Sequence, residues 1–136
     1  MNEIQQNIGY EFKDQMYLEI VFNKTELDKK RNHRIFAAYG DAILRFAAWE
    51  YLLDKEEAIF KPDKKIFTEE FGDKIKIMVA NDYLVKISSK MGLVSNATGL
   101  PLLANDVEAL IGAVYHDSGF EEAKQVAKRM LTRMDS

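Results

Sequence analysis

Two apolar stretches dominate this chain, RIFAAYGDAILRFAAW (34–49) and LLANDVEALIGAVYHDSGF (102–120). Neither contains a proline, and their apolar residues recur at helical spacing, so both read as helices whose faces need cover. Each carries one glycine in its centre, Gly40 and Gly112, which would allow the two backbones to approach closely if the helices cross there. Each also carries an acid among its apolar residues, Asp41 and Glu108. An ionised, unpaired carboxylate is expensive to bury, so two of them in such surroundings ask for a shared reason. Two carboxylates brought together repel, which raises one pKa unless a cation intervenes. A bound divalent metal is the simplest chemically useful explanation. Mg²⁺ prefers oxygen ligands, keeps several waters and often needs only one or two protein carboxylates when phosphate supplies the rest.

The remaining chain reads as helix nearly throughout. Its 136 residues suffice for one domain with a buried core, and 47% hydrophobic with 30% charged residues is a globular composition. Residues 13–22 read as a short helix, 23–34 as a polar, basic loop or frayed helix end, and 35–53 as the longest apolar helix. Residues 54–66 form a charged connection with Pro62 as a helix stop or start. Apolar positions at helical spacing continue over 68–80 and 81–91, Gly92 reads as a terminator, and 94–101 (VSNATGLP) is turn chemistry. A second buried helix covers 105–116, and Ser118-Gly119-Phe120-Glu121 reads as a capping box opening a last helix over about 119–134. The fold class is therefore all-α, one domain over 1–136.

Several function classes recede. With no cysteine there is neither a disulfide framework nor a thiolate zinc site, which fits a reducing, cytoplasmic setting. The first fifteen residues hold no apolar secretory core, and no stretch approaches the length of a membrane span. A net charge of −3 argues against a simple nucleic-acid-coating protein, though not against a nucleic-acid enzyme that brings Mg²⁺ to the phosphates. No Ser/His/Asp set, glycine-rich phosphate loop or zinc spacing is visible. His33 has no partner histidine at ligand spacing, and His116 reads as a core or interface residue.

The same residues admit plainer readings. Ala37, Asp41 and Arg45 share a helix face, so Asp41 can simply pair with Arg45 at i+4. Asn105 and Glu108 stand at the spacing of an N-cap and its N3 partner. Glu70 beside Glu69 is by itself an ordinary exposed acid. KKRNHR (29–34), with Lys61, Lys64 and Lys65, is by itself a solvated basic surface, and its functional reading is phosphate contact.

The order and spacing of IGYEFKDQMYLEIVF (8–22), NHRIFAAYGDAIL (32–44), FTEEFGDKIKIMVANDYLVKISSKMGL (67–93) and LLANDVEALIGAVYHDSGFEEAKQVAKRML (102–131) resemble the catalytic domain of ribonuclease III. EALIGAVYHDSGFEEA (108–123) is the most specific piece, followed by GDAIL (40–44) and the opening IGYEFKD. The resemblance implies an all-helical endonuclease domain that acts as a homodimer. It also implies Mg²⁺-dependent hydrolysis of double-stranded RNA, with Mn²⁺ as a substitute, leaving 5′-phosphates and short 3′ overhangs.

Carried over position by position, the family's E-R-L-E-F-L-G-D places its last Asp on Asp41, but its preceding acids fall on Ala37 and Arg34. Its D-A-F-E-A-L-I-G-A places Glu on Glu108, its first Asp on Asn105 and its following Ala on Asp106. Asp106 would point about 100° away from Asn105 around the helix and is no substitute. The family's Glu of the middle helix matches Glu70, eleven positions before a matching Asn81. The resemblance thus implies catalysis and metal binding by Asp41 and Glu108, with Asn105 and Glu70 as weaker or water-mediated ligands. Lys29, Lys30, Arg31 and Arg34 are the candidate RNA contacts. Mini-III, the family's small relatives, also keep mainly these two acids, whereas here the aromatic expected at Ala38 is one residue later, at Tyr39. The face around Phe36, Tyr39 and Ile43 is the expected dimer contact. The alternative is a degenerate member serving as an RNA-binding or protein-partner module.

Overall fold

The computed structural model describes residues 2–23, 27–56 and 68–135, the side chains of 29, 56 and 68 apart. In chain order the helices are α1 (Glu3–Ile8), α2 (Gln15–Phe22), α3 (Leu27–Glu56), α4 (Thr68–Met78), α5 (Asn81–Met91), α6 (Ala104–Ser118) and α7 (Phe120–Met134). Among the described residues the extended pairing is one isolated bridge, Val94 with Pro101, which closes the turn over 94–101. Gly92 ends α5 at φ 67°, a left-handed conformation that glycine adopts without a Cβ clash.

α6 is the axis of the domain. Val107, Ala109, Leu110, Ile111, Ala113 and Val114 are all fully covered, so the helix is buried around most of its circumference. α3 lies along it, and α7, α2 and α5 close the remaining sides. α7 shows why it can do so: Ala123, Val126, Ala127, Met130 and Leu131 recur at i, i+3, i+4 spacing and are buried, while charged residues hold the other face.

The long helix corrects two sequence readings. Within the polar segment 23–34, residues 27–34 are helix and not loop, because α3 begins at Leu27 and runs through Lys29–Arg34, while 24–26 lie outside the described residues. Its polar look comes from solvent-facing residues, whereas His33 is buried and its Nε2 lies 2.9 Å from Asp106 Oδ1 on α6. That pair keeps two polar groups satisfied inside the interface. At the other end α3 continues to Glu56; the rest of the charged connection, including Lys61, Pro62, Lys64 and Lys65, lies outside the described residues.

Two capping readings are also corrected. α6 starts at Ala104 with Leu103 at the N-cap and no side-chain cap, so Asn105 is already inside the helix and does not cap it. Ser118 closes α6 rather than opening α7, whose N-cap is Gly119. The Ser118 hydroxyl meets the Tyr10 hydroxyl instead. Next to it, the Asp117 carboxylate accepts from the Tyr10 hydroxyl and from the backbone N–H groups of Lys13 (2.8 Å) and Asp14 (3.1 Å). IGYEFKD and HDSGF are therefore two halves of one hydrogen-bonded joint. Burial alone would raise the Asp117 pKa, but these donors outweigh it and hold the carboxyl below its usual range. Burial and Asp117 push Tyr10 up to about 12, where it keeps its proton.

The α1 helix has no counterpart in the sequence reading. Asn2 caps it, and the buried Gln5 accepts from Phe12 N–H at 2.7 Å and from Gln15 Nε2 at 3.1 Å, so an amide side chain replaces backbone pairing at this corner.

Candidate active site

The site is made by two reciprocal glycine contacts. A Cβ placed on Gly40 would lie 1.7 Å from the Glu108 carbonyl oxygen, and one on Gly112 would lie 1.9 Å from the Phe36 carbonyl oxygen. Each glycine thus rests on the backbone of the other helix, four residues before the other glycine. No side chain fits between the two backbones at these points. Asp41 follows Gly40, and Glu108 itself supplies the carbonyl against it, so both carboxylates leave the crossing together. Their side chains are within hydrogen-bonding reach of one another.

Glu108 is half-buried. Burial, then the hydrogen bond with Asp41 and the charge of Asp41, push its carboxyl up to about 7, against a weaker opposing pull from Arg45. Arg45 sits one turn beyond Asp41 and donates from Nε to Asp41 Oδ2 at 3.2 Å. Half of the Arg45 side chain (52%) and 38% of that of Asp41 are open to solvent. The i+4 pair expected from spacing is present, but it is the outer end of a three-member chain, Glu108–Asp41–Arg45.

The raised pKa has a sign that can be tested. The folded chain holds a proton on Glu108 that the unfolded chain releases near 4.5. Stability from this group is therefore full below that value and is lost as pH rises toward 7. The full shift would be worth ~3 kcal/mol, and screening in a half-open site reduces it to about 1–2 kcal/mol. His116 acts in the opposite sense, because burial lowers its pKa and folding loses stability as pH falls through 6.5. The expected result is thus a difference: between pH 5 and pH 8, urea unfolding of metal-free protein shows the Glu108→Gln variant gaining on the parent. Parallel pH profiles for the two would refute it.

The other sequence candidates are placed less centrally. Asn105 is exposed, one turn before Glu108, and shares a surface hollow with Asn81 and Asp82. Glu70 is exposed on the first turn of α4, its carboxylate 3.9 Å from Lys74 Nζ. Ala37 is partly covered and has no donor. Lys30, Arg31 and Arg34 are exposed on α3, with Arg31 3.5 Å from Asp28. Among the described residues no three acidic or histidine side chains gather closely enough to hold a metal ion. The close pair is Asp41 with Glu108. An oxygen-only pair of carboxylates reaching solvent is the donor chemistry that suits Mg²⁺, with water and substrate oxygens completing its shell.

Beside the site lies an aromatic cluster that sequence reasoning resolved only in part. The His116 ring stacks on Phe36 at 4.5 Å and meets Tyr39 edge-on at 4.9 Å, while Tyr39 stacks on Tyr115 at 4.9 Å. Phe36 and Ile43 are buried in the core and cannot form a dimer face. The uncovered apolar strip of α3 is instead Ile35, Ala38, Tyr39, Ala42 and Phe46, continued by Phe120, which meets Phe46 at 5.2 Å. The shift is one helical step: both flanks of the stripe are apolar, and only packing shows which one α6 covers.

No family model matches the chain. It is 27% identical over 138 residues to Ribonuclease 3 of Campylobacter jejuni, a match covering 98% of this chain and 62% of that protein. Ribonuclease 3 of Sulfurovum sp. is 28% identical, covering 96% of this chain and 60% of that protein, and that of Bdellovibrio bacteriovorus 26%, covering 93% and 58%. The chain therefore spans about 60% of the length of these curated relatives. In structure it resembles the nuclease domain of ribonuclease III from Campylobacter jejuni, with TM-score 0.72, 25% identity, and 97% of this chain and 93% of that chain covered. A second structure of that domain, concerned with flexibility in a region involved in dimer formation, gives TM-score 0.73 at 26% identity, covering 96% and 94%. Likeness in sequence over nearly the whole chain and likeness in structure together give it the all-helical fold of the ribonuclease III nuclease domain.

Proposed function

We propose that the protein is a metal-dependent endoribonuclease that hydrolyses phosphodiester bonds in double-stranded or structured RNA. The observation that carries this reading is the Asp41–Glu108 pair, held at a glycine-to-backbone crossing inside a ribonuclease III-type fold. Asp41 and Glu108 would hold Mg²⁺ or Mn²⁺, with Asn105 as a neutral oxygen donor and Glu70 acting through water. When bound, such an ion lowers the pKa of water and offsets charge developing at the phosphorus. Glu108 releases its proton to take up this role, so binding is favoured as pH rises through 7. Lys30, Arg31 and Arg34, with Lys29 beside them in sequence, would meet phosphates, and the duplex would be read by its shape and 2′-hydroxyls rather than by its bases.

Two copies would dimerise through Ile35, Tyr39, Phe46 and Phe120. These side chains form a continuous uncovered apolar strip, and a relative with this fold has a region involved in dimer formation. Among the described residues no helix is long and apolar enough to cross a membrane, and a cysteine-free chain suits the reducing cytoplasm. The Tyr39→Lys, Phe46→Lys double variant is expected to be a monomer at concentrations where the parent is a dimer, a loss of about a hundredfold or more in association. Sedimentation velocity reads this directly, and an unchanged profile would remove the strip from the interface.

The deciding experiment is a perfect RNA duplex incubated with Mg²⁺ or Mn²⁺. Cleavage that stops with EDTA supports the reading. Duplex binding without cutting at any metal concentration would leave the chain as a non-catalytic RNA-binding module.

A further inference from the structure

Arg45 is the member of the site that the proposed chemistry leaves unexplained. Its guanidinium bonds Asp41 through Nε alone, at 3.2 Å, so the remaining N–H donors are not used in that bond. The side chain is half exposed and is charged at every working pH. It also acts on Glu108, favouring that residue's ionised form. A fixed positive charge thus already sits among the two carboxylates that would receive a cation. Asn105 and Ala37 add no negative charge to offset it. A divalent ion entering this site meets repulsion from Arg45 and competition for an Asp41 oxygen. A phosphodiester reverses the balance. Guanidinium matches two phosphate oxygens with paired hydrogen bonds, a better partner than a single Nε contact with a carboxylate.

We propose that Arg45 is a phosphate-operated latch on the cation site: it rests on Asp41 until an RNA phosphate draws it away, so that cation and RNA phosphate bind cooperatively. The inference rests on the proposed use of Asp41 and Glu108 as cation ligands. It assigns Arg45 two linked properties, suppression of metal binding in free protein and direct contact with the RNA backbone. Linkage makes the coupling reciprocal, so each property is measurable without turnover.

The test uses the whole chain and the variants Arg45→Gln and Arg45→Lys. In RNA-free protein, Mn²⁺ binding followed by electron paramagnetic resonance is expected to tighten about fivefold or more in Arg45→Gln, as one repelling charge is removed at close range. Arg45→Lys keeps the charge and should stay near the parent. In EDTA, a fluorescently labelled short RNA duplex, followed by anisotropy, is expected to bind Arg45→Gln about three- to tenfold more weakly, with the salt dependence reduced by about one phosphate contact. A merely structural Asp41–Arg45 pair would leave duplex binding unchanged. Parent and Arg45→Gln proteins that bind Mn²⁺ equally, in a way that Asp41→Asn abolishes, would overturn the latch and leave the metal site standing. Failure of every form to bind Mn²⁺, or binding indifferent to Asp41→Asn, would overturn the site and the latch together.

Discussion

Gly40→Ala and Gly112→Ala are expected to be the most damaging single-methyl changes in the protein. The added carbon would lie 1.7 Å from the Glu108 carbonyl in one case and 1.9 Å from the Phe36 carbonyl in the other. Both obstacles are backbone atoms of a packed helix, so no side-chain rotation relieves them. α3 and α6 would have to separate along their contact, losing cover over Leu44, Leu110 and Ile111. The cost should be at least about 3 kcal/mol, at the upper end of overpacking effects. Gly72→Ala supplies the contrast. A methyl group added there on α4 would meet nothing within 4 Å, so helix propensity alone operates and the change should stabilise by about 0.5–1 kcal/mol. Urea midpoints followed by circular dichroism separate the three variants, and a mild effect at Gly40 would mean that the helices do not meet as closely as described.

Asp41→Asn and Glu108→Gln should each remove RNA cleavage while leaving the fold intact. Both replacements keep shape and hydrogen-bonding capacity and remove a charge. In metal-free protein Glu108→Gln replaces an acid whose ionised form is disfavoured by burial and then by Asp41, so the variant is expected to stay folded and its loss of activity is not a loss of fold. Losing one of two carboxylate anchors forfeits several kcal/mol of charge stabilisation in the transition state, or about a thousandfold in rate. Initial rates on a labelled duplex, together with Mn²⁺ binding, check both points. If both variants cut at the parent's rate, the site lies elsewhere. Asn105→Ala should cost far less, since Asn105 contributes a neutral oxygen from an exposed position.

The crossing helices are legible in the sequence because two signals agree, an apolar stretch and a central glycine in each. The acid pair follows from the same crossing. Other features depend on partners far along the chain. Nothing in KKRNHR distinguishes His33, which turns inward only because Asp106, 73 residues later, is there to receive it. Ser118 has the spacing of a helix cap, yet its hydroxyl is taken by Tyr10, 108 residues earlier. The uncovered strip lies one helical step from the expected face because Phe36 and Ile43 are as apolar as Ile35 and Phe46, and composition does not say which flank meets α6. Arg45 is legible as a pair for Asp41, but its influence on Glu108 requires α6 to be in place.

The joint at Asp117 bears on how the domain is made. Tyr10, Lys13 and Asp14 find their acceptor more than a hundred residues later, and Arg129 of α7 donates to the Ile8 carbonyl at 3.1 Å. During synthesis Tyr10, Lys13 and Asp14 therefore wait for this acceptor until the chain through Asp117 has been translated, and the Ile8 carbonyl waits until Arg129 follows. Closure of so long a loop is slow, because its entropy is lost before any contact is gained. The N-terminal corner should be the last part of the domain to become protected from hydrogen exchange.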